Sequence, residues 1–162
     1  MTVQFERIDA FSDDGVVEFY TVRLDDNRLT EFELFIEKDF PDHLEEIRIL
    51  YAAIRRIQWR GAHPSLFKFE ENADALPKVP DEVKILNEDD WGVRLYCIRV
   101  NEGLVILLNG DIKTEEDPNK CPNVKHHFNR ARKIGTVLNR EIAERTIKIK
   151  EERALDKNTI YI

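Results

Sequence analysis

The sequence is poor in the residues and patterns that mark several protein classes. It has only 6 glycines, 6 prolines and 2 cysteines in 162 residues, which excludes a disulfide-stapled scaffold and a flexible linker. The longest apolar run, Leu104 to Leu108, is far shorter than the roughly 20 residues that span a bilayer. Met1 to Ala10 lacks the apolar core of a signal peptide. We therefore expect a cytoplasmic protein without a membrane partner.

The short motifs of common enzyme classes are also missing. The sequence has no glycine-rich phosphate loop, no GxSxG elbow, no HExxH motif and no EF-hand loop. Cys97 and Cys121 do not have the spacing of metal ligands. His126 and His127 would point about 100° apart on a helix, which favours a surface or helix-start role. We therefore expect neither a metal site nor a cofactor.

Charge is abundant but unevenly distributed. Charged residues make up 35% of the chain. The net charge is -7, which argues against a protein that coats nucleic acid non-specifically. Residues 47–60 nevertheless carry a net charge of +4, and residues 123–153 carry +5. Such runs are either solvated helix faces or a local surface for an anionic ligand. In the second case the C-terminal basic side chains would contact RNA phosphates: Lys125, Arg130, Arg132, Lys133 and Arg140.

The N-terminal half predicts a β-hairpin followed by two helices. Residues 3–9 and 16–24 are rich in valine, phenylalanine, isoleucine and tyrosine, and they flank a cluster of turn residues. Thr30 and Glu33 have the spacing of a capping box, which predicts a short helix over residues 31–38. A second helix would begin at Pro41 and end at Gly61.

The C-terminal half predicts strands and one long helix. Strand patterns cover residues 66–70, 83–86, 93–100 and 104–109, and residues 72–81 read as a loop. A helix follows from Pro122 to about Ala143, and residues 159–162 could add an edge strand. The whole chain thus predicts one α+β domain over residues 1–162: an antiparallel sheet with an N-terminal helical hairpin and a long C-terminal helix.

Two segments resemble the core of RelE/HigB-type toxins. That family has an arginine-bearing strand, a turn, an aliphatic strand ending in a small polar residue and glycine, and then a lysine. Residues 91–98 and 104–114 follow this pattern, with Arg94 in the first strand, Asn109-Gly110 at the end of the second, and Lys113 beyond it. The resemblance covers about residues 16–142 and includes the helical hairpin. It implies a RelE-like fold, with the first strand and the tail as additions.

The resemblance implies an endoribonuclease that cleaves mRNA on the ribosome and is neutralised by an antitoxin protein. In this chemistry a ribose 2′-hydroxyl attacks the adjacent phosphate, so cations must stabilise the extra negative charge. Arg94, Lys113 and Lys68 are the catalytic candidates that the resemblance implies, and no general base can be placed. Two alternatives remain. One is a non-catalytic protein-binding module on the same fold. The other takes Arg94 and Arg99 as exposed strand residues with acidic cross-strand partners.

Overall fold

The computed structural model describes residues 1–70, 73–78 and 92–162. In chain order the elements are β1 (Thr2–Arg7), α1 (Asp9–Ser12), β2 (Glu18–Leu24), α2 (Glu31–Glu37), α3 (Leu44–Arg60), β3 (Lys68–Glu70), β4 (Ala73–Leu76), β5 (Val93–Asn101), β6 (Leu104–Ile112), α4 (Lys125–Ala143), β7 (Ile149–Lys150), β8 (Ala154–Leu155) and β9 (Thr159–Tyr161). Short 3-10 turns lie at Pro41–His43, Pro64–Leu66 and Pro118–Lys120.

The main sheet has the strand order β3-β4-β5-β6-β2-β1-β9, and β7 pairs with β8 in a separate hairpin. Its pairs are antiparallel except one: Glu18 to Tyr20 of β2 run parallel to Leu104 to Ile106 of β6. The expected antiparallel sheet is therefore confirmed for most pairs and wrong at β2 and β6. Between β2 and β6 the chain passes through α2, α3 and the strands β3, β4 and β5.

The predicted N-terminal helical hairpin is not confirmed, because the chain begins with strands. The two helices lie at the predicted positions in the sequence, but α2 packs mainly against β6 and β2. The predicted loop over 72–81 is wrong at residues 73–76, which form β4. The predicted strand over 83–86 lies outside the described residues.

The helices begin and end where local chemistry directs. The Thr30 side chain accepts a hydrogen bond from the Glu33 backbone N–H at 3.2 Å, and the Glu33 carboxylate accepts one from the Thr30 N–H at 2.8 Å. This confirms the capping box at the start of α2. Helix α3 ends at Gly61, whose φ of 102° suits glycine far better than other residues.

Two apolar cores cover opposite faces of the sheet. On one face, Phe128 and Leu138 of α4 pack with Tyr96 and Ile106. The other core lies against α2 and α3 and includes Phe35, Leu50, Ile54, Leu95 and Leu107. Successive side chains of a strand point to opposite faces, so β5 and β6 are buried on both sides. The aliphatic strand β6 is also central in the strand order.

The C-terminal tail forms the edge strand β9, at the opposite end of the sheet from β3. The predicted edge strand at the end of the chain is confirmed, since β9 pairs antiparallel with β1. Before it, residues 149–150 form β7, which pairs antiparallel with β8.

A glycine pair tests how closely the strands approach. A Cβ at Gly110 would lie 1.7 Å from the carbonyl oxygen of Arg94, whereas a Cβ at Gly135 in α4 would meet nothing closer than 3.7 Å. Gly110→Ala should lower the free energy of unfolding by about 1–3 kcal/mol or more, since the backbone must shift. Gly135→Ala, the matched control, should raise it by about 0.5–1 kcal/mol. Urea denaturation followed by circular dichroism measures both. Equal effects of the two substitutions would contradict the close approach at Gly110.

Candidate functional site

A cleft of about 570 Å³ lies between β3 and the segment that follows β6. Its lining consists of Lys68, Phe69, Lys113, Glu115, Glu116, Asp117, Pro118 and Lys120. The Asp117 side chain caps the 3-10 turn by accepting a hydrogen bond from the Asn119 N–H at 2.9 Å. At the other side, the Lys113 N–H donates to the Gly92 carbonyl at 2.8 Å and extends the β5–β6 ladder. The cleft is therefore held by backbone structure on both walls.

Two of the predicted catalytic residues meet in this cleft. Lys68 pairs in register with Ala75, which faces the α4 core. Ile112 packs against the opposite core, so strand alternation places Lys113 on the α4 side as well. Lys68 is half-buried and Lys113 is only 1% exposed. Both side chains have interaction partners, so a ligand anion would have to compete for them.

Arg94 shares the α4 face of the sheet but does not line the cleft. It alternates with Val93 and Leu95 of the other core and is 1% exposed. Its guanidinium donates to the Val93 carbonyl at 3.1 Å, and Asp111 is its register partner on β6. The alternative of an exposed strand position is therefore wrong for Arg94. Arg99 is half-buried, and its Nε donates to the Ala62 carbonyl.

The lysines and carboxylates of the cleft offer complementary chemistry. Lys120 joins Lys68 and Lys113 among the lining residues, and it is exposed. Glu115 and Glu116 are exposed in the same cleft. Lysines can neutralise a phosphate group, and carboxylates can accept a proton. The three acidic side chains also lower the net charge of the cleft, which limits how strongly it attracts a polyanion.

The predicted RNA-binding residues of α4 fall into two groups. Lys125 and Lys133 are exposed. Arg130 is held 3.5 Å from the buried carboxylate of Glu31, and the Arg132 guanidinium lies 5.4 Å from the centroid of the Phe128 ring. Arg140 is exposed beside Glu141 at 3.4 Å. Lys125 and Lys133 are thus the residues of this set that solvent reaches most freely without an ion-pair partner among the described residues.

Sequence reasoning missed a buried polar cluster centred on Lys38, at the end of α2. The ammonium group donates to Asn109 Oδ1 at 3.1 Å and to the Gly110 carbonyl. It lies 3.4 Å from the Asp111 carboxylate and 3.2 Å from His127 Nε2. Five residues from three elements meet here, although they are distant in sequence. No local pattern could reveal a cluster that only the packing of α2 between β6 and α4 brings together.

His127 corrects the expectation of a surface histidine. It lies at the start of α4, as predicted, but is only 7% exposed. Burial is the main cause that lowers its pKa to about 3, and the nearby charges of Lys38, His126 and Arg130 add to the effect. Its Nδ1 is buried and has no hydrogen-bond partner within the described part of the chain. His127 therefore stays neutral at physiological pH and accepts through Nε2 from the lysine.

In the described ranges, no three His, Cys, Asp or Glu side chains are grouped so that they could hold a metal ion. Within those same ranges, no helix combines the length and the apolarity needed to cross a membrane.

No protein-family model matches this chain, and comparison with curated proteins and with solved structures gives no significant match. The resemblance to RelE/HigB-type toxins thus rests on the residues themselves and stays a prediction.

The buried neutral histidine predicts a pH-dependent stability. The unfolded chain protonates His127 near its ordinary pKa of 6.5, whereas the folded protein resists protonation until about pH 3. The unfolded state therefore binds the extra proton, and the folded state loses stability as the pH falls from 6.5 towards 3. Between pH 7 and pH 5 the loss from this group should be roughly 1–2 kcal/mol.

Urea denaturation of the wild type and of His127→Gln at both pH values measures this contribution, because the other titrating groups are common to both proteins. The pH dependence should be shallower in His127→Gln. Exposed Asn129 on the same helix provides a control that does not titrate, and Asn129→Gln should keep the wild-type dependence. Identical slopes for the wild type and His127→Gln would contradict the assignment.

Proposed function

We propose that this protein is a RelE/HigB-like toxin, a ribosome-associated endoribonuclease that acts on mRNA and is neutralised by an antitoxin protein. The observation that carries the proposal is the convergence of Lys68 and Lys113 in one cleft, where Lys120 adds a third ammonium group. The order of elements from β2 through α2, α3 and the β3–β6 strands to α4 also supports it, because it is the order expected from the resemblance.

The cleft offers the groups that the reaction requires. When a 2′-hydroxyl oxygen attacks the adjacent phosphorus, the bond from phosphorus to the 5′-oxygen breaks and a cyclic phosphate forms. Lys68 and Lys120 would neutralise the charge that develops on the phosphoryl oxygens. Glu115 or Glu116 would accept the hydroxyl proton, which supplies the general base that the sequence could not place. The leaving 5′-oxygen would take its proton from water or a lysine.

Arg94 has a different role in this proposal from the one that the resemblance implied. A side chain that is 1% exposed and outside the cleft lining does not touch a phosphate in this arrangement. It is better described as a positioning residue that fixes β5 beside the strand end from which Lys113 projects. Lys113 lies at the floor of the cleft and would act beneath the two more accessible lysines.

Phe69 provides a platform for a base. Phe69 lies on the edge strand β3 and is 68% exposed. It lines both the lysine cleft and a neighbouring groove of about 440 Å³ between β4 and α4. Stacking of a base on an aromatic ring contributes about 1–3 kcal/mol and tolerates any sequence. An RNA strand with its phosphate in the cleft could therefore pass over Phe69 towards α4.

The second candidate is a non-catalytic protein-binding module on the same fold. The observation that favours it is the burial of Arg94 and Lys113, each 1% exposed. Two of the three predicted catalytic cations would then have a structural role in the sheet. On this reading the net charge of -7 reflects a protein partner rather than RNA. The decisive difference is whether RNA is cleaved.

Substitution of the cleft lysines tests the enzymatic proposal. Induced expression of the wild type should arrest growth and cleave ribosome-bound mRNA. Lys68→Ala and Lys120→Ala should each lower the cleavage rate about 10–100-fold, because each removes one charge that stabilises the transition state. Lys148→Ala, which removes an exposed lysine outside the cleft, should cleave as the wild type does. Cleavage is followed by primer extension on translating ribosomes.

Folding is checked separately by thermal unfolding. Lys120 is exposed, so Lys120→Ala should unfold as the wild type does, whereas Lys68 is half-buried and its variant is assayed at a temperature where it is folded. If the wild-type protein is soluble but neither arrests growth nor cleaves mRNA, the result contradicts the enzymatic proposal and favours the binding module. An equal loss of activity in Lys148→Ala would exclude the cleft as the catalytic site.

The α4 surface makes a separate prediction for RNA binding. Each phosphate contact releases counterions, so affinity for a single strand should fall with salt by a slope of about −0.7 per contact. The double variant Lys125→Ala/Lys133→Ala should make the slope shallower by about 1.4 units. Fluorescence anisotropy with a labelled single-stranded RNA at several salt concentrations measures it. A slope unchanged by the double substitution would exclude this face of α4 from RNA contact.

A further inference from the structure

A second groove lies on the opposite face of the sheet, away from the lysine cleft. It encloses about 340 Å³ between α3 and the residues that flank β3 and β4. The floor is apolar and made largely of small side chains, with Ala52 and Ala53 of α3 opposite Leu66 and Pro77. Small residues on a helix let another backbone approach closely. The volume suits one or two apolar side chains from a partner.

The rim of this groove is positively charged. Arg56 and Lys78 line it, and the Lys78 ammonium donates to the Ser65 carbonyl at 3.1 Å, which joins the two non-helical walls. In the described part of the chain, no carboxylate lies within ion-pair distance of Arg55, Arg56 or Arg60. Of the four arginines that give residues 47–60 their +4 charge, Arg48 lies 3.5 Å from Glu45, and the other three have no ion-pair partner among the described residues.

Large apolar side chains continue the surface along α3. Trp59 and Leu44 are each 55% exposed. Positions 44, 48, 52, 55 and 59 recur at intervals of three or four residues, so they share one helix face. Apolar Leu44, Ala52 and Trp59 thus alternate along that face with Arg48 and Arg55. Exposed aromatic and arginine side chains are the residues most enriched at protein interfaces.

We propose that this α3 groove docks an acidic amphipathic helix of a partner protein. The apolar face of such a helix would place one or two side chains on the Ala52–Ala53 floor. Its carboxylates would pair with Arg56 and Lys78 at the rim and with Arg55 beyond it. The inference is independent of the lysine cleft, because the two lie on opposite faces of the sheet.

The apolar floor is what distinguishes a protein from a nucleic acid at this site. A phosphodiester chain would use the arginines but would leave Ala52, Leu66 and Pro77 without apolar contacts. A helix with leucine or phenylalanine on one face and glutamate on the other uses both properties. Charge complementarity of this kind fixes orientation and raises the association rate.

A synthetic peptide tests the proposal directly. The probe is a fluorescently labelled amphipathic peptide with leucine and phenylalanine on one helical face and glutamate on the other. Fluorescence anisotropy should show saturable binding that weakens as salt is added. A second peptide with the same apolar face and lysine in place of glutamate should bind at least about tenfold more weakly, because its charges oppose Arg56 and Lys78.

Variants of the protein locate the binding. Arg56→Glu and Ala52→Glu should each weaken binding of the acidic peptide about tenfold or more, the first by charge reversal and the second by filling the floor. Lys148→Glu, which reverses the charge of an exposed lysine outside the groove, should bind as the wild type does. All three positions are at the surface, and thermal unfolding by circular dichroism checks that each variant folds.

The outcomes separate the alternatives. Equal binding of the two peptides, or unchanged binding by Arg56→Glu, would overturn the proposal. So would a labelled RNA oligonucleotide that competes with the acidic peptide and is weakened by Arg56→Glu but not by Ala52→Glu. Amide chemical-shift changes confined to residues 49–56, 65–66 and Lys78 on addition of the acidic peptide would confirm the site.

Discussion

The burial of β5 and β6 on both faces is the constraint on which the rest of the structure depends. A strand that is apolar on both sides needs cover on both sides, and α4 supplies it on one face while α2 and α3 supply it on the other. Some polar side chains on these strands and just beyond them are then buried as well. Arg94, Asn109 and Lys113 are each at most 5% exposed. Such groups persist only where the surrounding structure satisfies them.

Lys38 shows how the protein meets this requirement at one strand end. Its ammonium group reaches Asn109, Gly110, Asp111 and His127 and so joins α2 to β6 and α4. Glu31, at the other end of α2, is held near Arg130 of α4. The helix is therefore fastened at both termini by polar contacts, while Phe32 and Phe35 pack between them. His127 is neutral in this arrangement because burial lowers its pKa, and the nearby Lys38 cation adds to the effect.

Local signals predicted the elements well. The Thr30–Glu33 capping box, the Gly61 stop and the aliphatic strand from Leu104 depend on neighbouring residues, and each was found where the sequence placed it. What failed depended on distant packing. The parallel pairing of β2 with β6 joins residues far apart in the chain, and the short alanine-containing β4 is a strand only because β3 and β5 lie beside it.

The candidate site shows the same division. Motif matching selected Lys68 and Lys113, and the structure places both in one cleft. Motif matching could not reveal that Arg94 is buried, because an arginine in a strand of alternating pattern is expected to be exposed. It also could not find Lys38, Phe69 or the α3 groove, since each acquires its role from residues on other elements.

The parallel neighbours β2 and β6 also bear on how the chain assembles during synthesis. The β1–β2 hairpin and the β3–β6 meander each involve residues close in sequence, but the two halves meet only across the whole of residues 25–103. Closing so long a loop is entropically costly and slow compared with hairpin formation. The first hairpin leaves the ribosome well before its permanent neighbour exists. The edge of β2 that pairs with β6 therefore stays unpaired until β6 has been synthesised and joins the sheet.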